Sequence, residues 1–177
     1  MGKRSSFERR ERDFYPTPRA AVLPLLPHLE YGTSFVEPCA GDLALVKALE
    51  GEGASCLYAL DIAPRHPDVI TFDALGDTLD MYCQSADYII TNPPWARDLL
   101  HPMIRHFAAI RPSWLLFDAD WVHTRQAAEF TPFLRAIVSV GRVRWIPETK
   151  YTGKDNCAWH LFDARASGPA IFHGRAA

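Results

Sequence analysis

The chain has 177 residues, 48% hydrophobic and 23% charged, with a net charge of −2. That size and balance fit one soluble globular domain. No apolar run approaches the roughly 20 residues that a membrane-spanning helix needs. The polar, charged N-terminus is no signal peptide, so a cytoplasmic protein is expected.

Residues 1–13 read as a polar arm, residues 14–165 as a single domain and residues 166–177 as a tail. Thr17-Pro18 has the form of a helix start, Thr as cap and Pro at the first helical position. Val22, Leu25, Leu26 and Leu29 share a face, although Pro24 and Pro27 must shorten or kink that helix. A short strand, 34–37, runs into the turn Pro38-Cys39-Ala40-Gly41-Asp42, and helical spacing follows from Leu43 to Leu49. Strands are predicted at 57–61 and 69–72, with a loop or short helix over 75–85. Tyr88-Ile89-Ile90 is a buried strand ending at Thr91-Asn92-Pro93-Pro94-Trp95. Leu99, Leu100, Met103, Ile104 and Phe107 then recur at helical spacing. A fifth strand covers 114–117 and a helix 124–130. Residues 136–140, 142–146 and 157–162 are strand-like, the last two forming a closing hairpin around a polar loop.

Short apolar strands alternating with helices predict a mostly parallel sheet covered on both faces. Such sheets bind ligands at the carboxyl ends of their strands, near the switch in strand order. The unusual residues cluster at those ends. Glu37-Pro38-Cys39-Ala40-Gly41 is a strand-to-helix turn whose glycine lets a ligand approach the backbone. It lacks GxGxxG, which disfavours a dinucleotide, whereas Glu37 suits a ligand with a cationic amino-acid tail. Asp61, about 20 residues on, ends the second strand, where a carboxylate can hold ribose hydroxyls. Asp73 ends the third and can accept from an adenine amino group, with the Ala74 N–H beside it.

Asn92-Pro93-Pro94-Trp95 is the most specific signal. Two prolines fix two φ angles and restrict the residue before each. The Asn92 side-chain oxygen and the Pro93 carbonyl are thereby held as two acceptors for the hydrogens of an –NH2 group. Trp95 offers a flat surface for a planar base. These four residues are the candidate catalytic set, acting by positioning and electrostatics on a nucleophile that belongs to the substrate.

Metal is not expected. Cys39, Cys56, Cys83 and Cys157 are far apart with no CxxC pair, and His101 and His106 lack the i, i+4 spacing of a zinc pair. Local basic patches at Lys3, Arg4, Arg9, Arg10, Arg12 and Arg19, and at Arg142, Arg144, Lys150 and Lys154, suit a phosphate backbone. Glu8, Glu11 and Asp13 dilute the first.

In these motifs the chain resembles the S-adenosylmethionine-dependent amino-methyltransferases, particularly the small phage-type DNA adenine methyltransferases. The resemblance runs from about Asp13 to Phe162. Phe14-Tyr15-Pro16-Thr17-Pro18 resembles the N-terminal cofactor motif, which packs near the methionine moiety. Glu37 to Gly41 resembles the first strand motif, Asp61-Ile62 the ribose-binding acid and the residue along the adenine, and Asp73-Ala74 the adenine-amino site. Asn92-Pro93-Pro94-Trp95 matches (Asp/Asn/Ser)-Pro-Pro-(Tyr/Phe/Trp). The resemblance implies a Rossmann-like class I methyltransferase fold, α/β, with a mostly parallel seven-stranded sheet, a C-terminal antiparallel hairpin and helices on both faces. It implies S-adenosylmethionine as cofactor, held by Tyr15, Thr17, Glu37, Pro38, Ala40, Gly41, Asp61, Ile62, Asp73, Ala74 and Asn92. The implied reaction is methylation of adenine in DNA, with DNA preferred over RNA as partner.

Two departures from the family matter. Trp replaces the commoner Tyr or Phe, and a target-recognition domain is lacking. Lax or short sequence specificity follows, with the N-terminal arm and the loop Glu148 to Asp155 as the candidate readers. In that loop Lys150, Tyr151 and Lys154 are placed to grip phosphate and stack on a base. RNA adenine, a protein glutamine amide, and an inactive fold kept as a binding module are the competing readings.

Overall fold

A computed structural model describes residues 14–146 and 152–175. The arm 1–13, Lys150 and Tyr151 lie outside the described residues.

Eight strands form one sheet: β1 Ser34–Glu37, β2 Ser55–Asp61, β3 Ile70–Thr71, β4 Tyr88–Thr91, β5 Ser113–Asp118, β6 Leu134–Arg142, β7 Asn156–Phe162 and β8 Ile171–His173. Their order is β3-β2-β1-β4-β5-β7-β6-β8. The pairs among β3, β2, β1, β4 and β5 are parallel. β7 runs against both β5 and β6, and β8 returns parallel to β6. The strand order reverses between β1 and β4, which opens a crevice at their carboxyl ends.

Side chains alternate across a strand, so each central strand feeds two cores. Phe35, Ile90, Trp114 and Leu116 pack on one face with Ala21, Val22 and Leu25 from the N-terminal helical segment, and with Leu45, Val46 and Leu49 of α2 (Ala44–Glu50). Val36, Ile89, Leu115 and Phe117 pack on the other against Leu100, Ile104 and Phe107 of α4 (Arg97–Ile110) and Leu79 and Cys83 of α3 (Leu79–Cys83). The buried Trp159 indole donates to the Ala21 carbonyl at 2.8 Å, tying β7 to α1 (Arg19–Val22).

Several sequence expectations need correction. The sheet has eight strands, not seven, because part of the expected tail pairs with the open edge of β6. Arg135 holds that return in place by donating to the carbonyls of Ala166 and Gly168 at 2.6 and 3.0 Å. The hairpin partner of β7 is Leu134–Arg142, not 142–146. Register shifts in β6 and the positive φ of Gly141 turn the chain out of the sheet after Arg142. The helix expected over 124–130 is a run of 3-10 turns, Arg125–Glu129 and Thr131–Phe133, the second containing Pro132. β3 is shorter than predicted, at two residues. Thr17 does not cap the first helix: Pro18 occupies the cap position, and the Thr17 hydroxyl is used elsewhere.

Candidate active site

The carboxyl ends of β1, β2, β3 and β4 open into a cleft of about 540 Å³. Of the expected cofactor residues, Tyr15, Thr17, Glu37, Pro38, Ala40, Gly41, Asp61, Ile62, Asp73, Ala74 and Asn92 all line it. Pro94 lines it too, while the Pro93 residue as a whole is buried.

Asp61 is the mechanical centre of this cleft. Its Oδ2 accepts from the Gly41 amide at 2.9 Å and its Oδ1 from the Ala63 amide at 2.7 Å. One carboxylate thus clamps the turn after β1 to the turn after β2, and each oxygen retains lone-pair capacity for a ligand hydroxyl. Gly41 sits at φ +51°, and a Cβ there would come 2.5 Å from Phe14 Cε2. The positive φ favours glycine, and any side chain here would also have to displace the Phe14 ring. The Arg65 guanidinium lies over the Phe14 ring, 4.2 Å from its centroid. The Asp73 carboxylate accepts from the Leu75 amide at 2.9 Å and is otherwise exposed at the rim.

Glu37 is 1% exposed, and its Oε2 has no hydrogen-bond partner. Burial pushes its carboxyl well above the usual carboxylate range, and the charges of Asp61 and Asp42 push it further. A buried carboxyl with an orphan oxygen is costly unless something pairs with it. The folded protein holds this proton more tightly than the unfolded chain, so Glu37 lowers stability as pH rises from its ordinary 4.5 toward the folded value. Glu37→Gln is therefore expected to flatten the pH dependence of the ligand-free protein above pH 5. It should also raise its Tm near pH 7.5 by roughly 2–4 °C, as thermal melts across pH will check.

A second cleft, about 240 Å³, adjoins the first and is lined by Tyr15, Asn92, Trp95, Trp145, Gly153, Lys154 and Asp155. Tyr15 and Asn92 therefore line both. Trp95 and Trp145 meet edge to face at 5.9 Å, and Tyr15 lies 6.5 Å from Trp145. At the junction, the Trp95 indole N–H donates to Asn92 Oδ1 at 3.3 Å, and Asn92 Nδ2 donates to Thr17 Oγ1 at 3.1 Å. Of the three loop residues expected to touch a substrate, Lys154 lines this cleft; Lys150 and Tyr151 lie outside the described residues. Sequence reading missed Trp145. It lies beyond the end of β6 and not in the strand expected over 142–146, and no local pattern marks its approach to Trp95.

No protein-family model matches the sequence. No curated protein matches it as a relative. Solved structures do match in shape. A chain assigned as a class I S-adenosylmethionine-dependent methyltransferase from Listeria monocytogenes superposes with a TM-score of 0.56 at 13% identity, over 89% of this chain and 63% of the other. The fold is that of the class I S-adenosylmethionine-dependent methyltransferases. A protein assigned as an RNA methyltransferase from Pyrococcus horikoshii shares this class I fold at a TM-score of 0.55 and 15% identity, covering 84% and 85%. A chain of a type I R-M system does so at 0.56 and 14%, covering 96% and 46%. This chain thus spans less than two thirds of the Listeria and R-M chains. Against the class I methyltransferase fold, β8 is appended beyond the expected seven strands.

Proposed function

We propose that this protein transfers a methyl group from S-adenosylmethionine to the exocyclic amino nitrogen of adenine in DNA, with short or lax sequence preference. One observation carries the reading: Asn92 stands in the wall between two adjoining clefts, one acidic at its strand tips and one aromatic. The residues of the first fit the cofactor. The orphan Glu37 oxygen suits its ammonium, Asp61 its ribose hydroxyls, and Asp73 with the Ala74 amide its adenine amino group. When bound, the cofactor supplies an electrophilic methyl on a sulfonium.

The protein's own contribution is placement. The Asn92 oxygen and the Pro93 carbonyl accept the two hydrogens of the target amine, which withdraws its lone pair from the ring and aims it. Tyr15, Trp95 and Trp145 hold the planar ring, and Lys154, which lines the same cleft, is the candidate phosphate contact. After transfer the nitrogen is cationic and acidic, so its proton leaves to water and no strong base is needed. In a duplex the target must leave the stack, at a cost of a few kcal/mol.

The test is transfer of label from tritiated S-adenosylmethionine to unmethylated duplex DNA, single-stranded DNA, RNA and protein, followed by nucleoside analysis. Labelled N6-methyladenine from DNA is expected. Label confined to RNA, to cytosine or to protein overturns the substrate, and no label on any polymer overturns the reaction. Trp145→Ala should weaken polymer binding by about tenfold or more through lost stacking, with cofactor affinity retained. Fluorescence anisotropy and calorimetry measure the two separately.

A further inference from the structure

We infer that Trp95 has a duty beyond stacking: its indole N–H sets which end of the Asn92 amide faces the target cleft. This rests on the amino-methylation reading above. The two ends of an asparagine amide are alike in shape and opposite in chemistry, one accepting and one donating hydrogen bonds. Only the oxygen end can receive hydrogens from a target amine. The reversed amide would present donors to a donor.

Thr17 cannot make this choice. A hydroxyl both donates and accepts, so it is satisfied by either end of the amide. The indole can, because Trp Nε1 is a donor only, and it lies 3.3 Å from Asn92 Oδ1. Asn92 Nδ2 is then left to Thr17 Oγ1, at 3.1 Å. Thr17 is only 6% exposed, so water has little access to replace it there. The relay runs from Trp95 through the amide to Thr17 and ties the aromatic cleft to the N-terminal segment.

The arrangement stays compatible with a bound target. A carbonyl oxygen has two lone pairs, so the indole contact leaves one for the amine. The indole donates from its edge, and a base lying on its face brings an amine toward the same oxygen. Phenylalanine at this position would stack but has no N–H, and the hydroxyl of tyrosine would be as ambivalent as that of Thr17. Trp95 is therefore a positioning residue for Asn92.

The test is a double-mutant cycle with a spectroscopic arm. Trp95→Phe is compared in the wild-type and in the Asn92→Asp background, where a carboxylate has two accepting ends and no orientation to choose. Stacking loss is common to both backgrounds and cancels. Trp95→Phe is expected to lower kcat about fivefold more with Asn92 than with Asn92→Asp, the range of one neutral hydrogen bond. Equal losses in both backgrounds overturn the inference. Independently of turnover, nuclear Overhauser contacts should join the Asn92 side-chain amide protons to the Thr17 methyl in the wild type. In Trp95→Phe they should split into two sets or vanish. A single unchanged orientation in Trp95→Phe, or wild-type amide protons facing the indole, overturns it as well, and this arm decides should Asn92→Asp be inactive. A wild-type protein that methylates no amine would instead sink the reaction, with the amide orientation still read by this arm.

Discussion

Asn92→Ala is expected to lower methyl transfer by at least about 100-fold while leaving cofactor affinity within about twofold, the pattern of a lost interaction made in the transition state. The side chain is half-buried between the two clefts, and its oxygen accepts from the indole of Trp95, which lines the second cleft. Removing it leaves the rigid Pro93-Pro94 corner in place, so the backbone of the cofactor cleft should not move. Under the proposed reaction it takes away one of the two acceptors for the target amine. Single-turnover transfer with saturating cofactor measures the loss, and isothermal calorimetry measures retained binding. Transfer within tenfold of wild type would remove Asn92 from the reaction.

Asp61→Ala should act on the opposite half of the site. Its carboxylate serves two backbone amides that are more than 20 residues apart in sequence, Gly41 at 2.9 Å and Ala63 at 2.7 Å. Hydrogen bonds to a charged acceptor contribute about 1.5–3 kcal/mol each, and stranded partners cost further. Losing the clamp frees the turn that forms the cleft floor and also removes the acceptor for ribose hydroxyls. Cofactor Kd is expected to rise by about 100-fold or more. Asp61→Asn is nearly isosteric yet should be close to Ala in effect, because its –NH2 must face one of the two backbone donors. Calorimetry on both variants checks this. Asparagine binding like wild type would mean that one backbone contact suffices and the clamp is dispensable.

Under the proposed function the two variants separate cofactor binding from transfer. Strand tips β1 and β2 supply the clamp, and β4 supplies the diproline corner. The parallel pairing of β1 with both β2 and β4 brings the tips to one edge. The candidate site therefore lies where the strand order reverses, a feature of the topology more than of any one residue.

Residues 34–37 and 88–90 are legible as strands because buried parallel strands are short apolar runs with breakers at their ends, and 57–61 is legible from the same pattern although most of β2 is partly exposed; those breakers are the candidate site residues. The amphipathic face of α4 was equally legible, since Leu100, Met103, Ile104 and Phe107 repeat at helical spacing and all are buried. The diproline corner was readable because proline acts locally: it restricts φ wherever the chain goes. Folding alone decided the rest. The pairing of β8 with β6 depends on an edge made available by residues more than 30 positions away, which no local pattern encodes. Trp145 meets Trp95 and Tyr15 only after the chain leaves the sheet beyond Gly141. The Asn92 amide has its neighbours chosen from 75 residues upstream and three downstream. Local torsional preference and hydrophobic period are properties of adjacent residues, and so the sequence by itself determined the strand tips and the corner. Contacts between distant residues depend on how the layers close, and so only the tertiary structure decided the second cleft, the carboxylate clamp and the orientation of the amide.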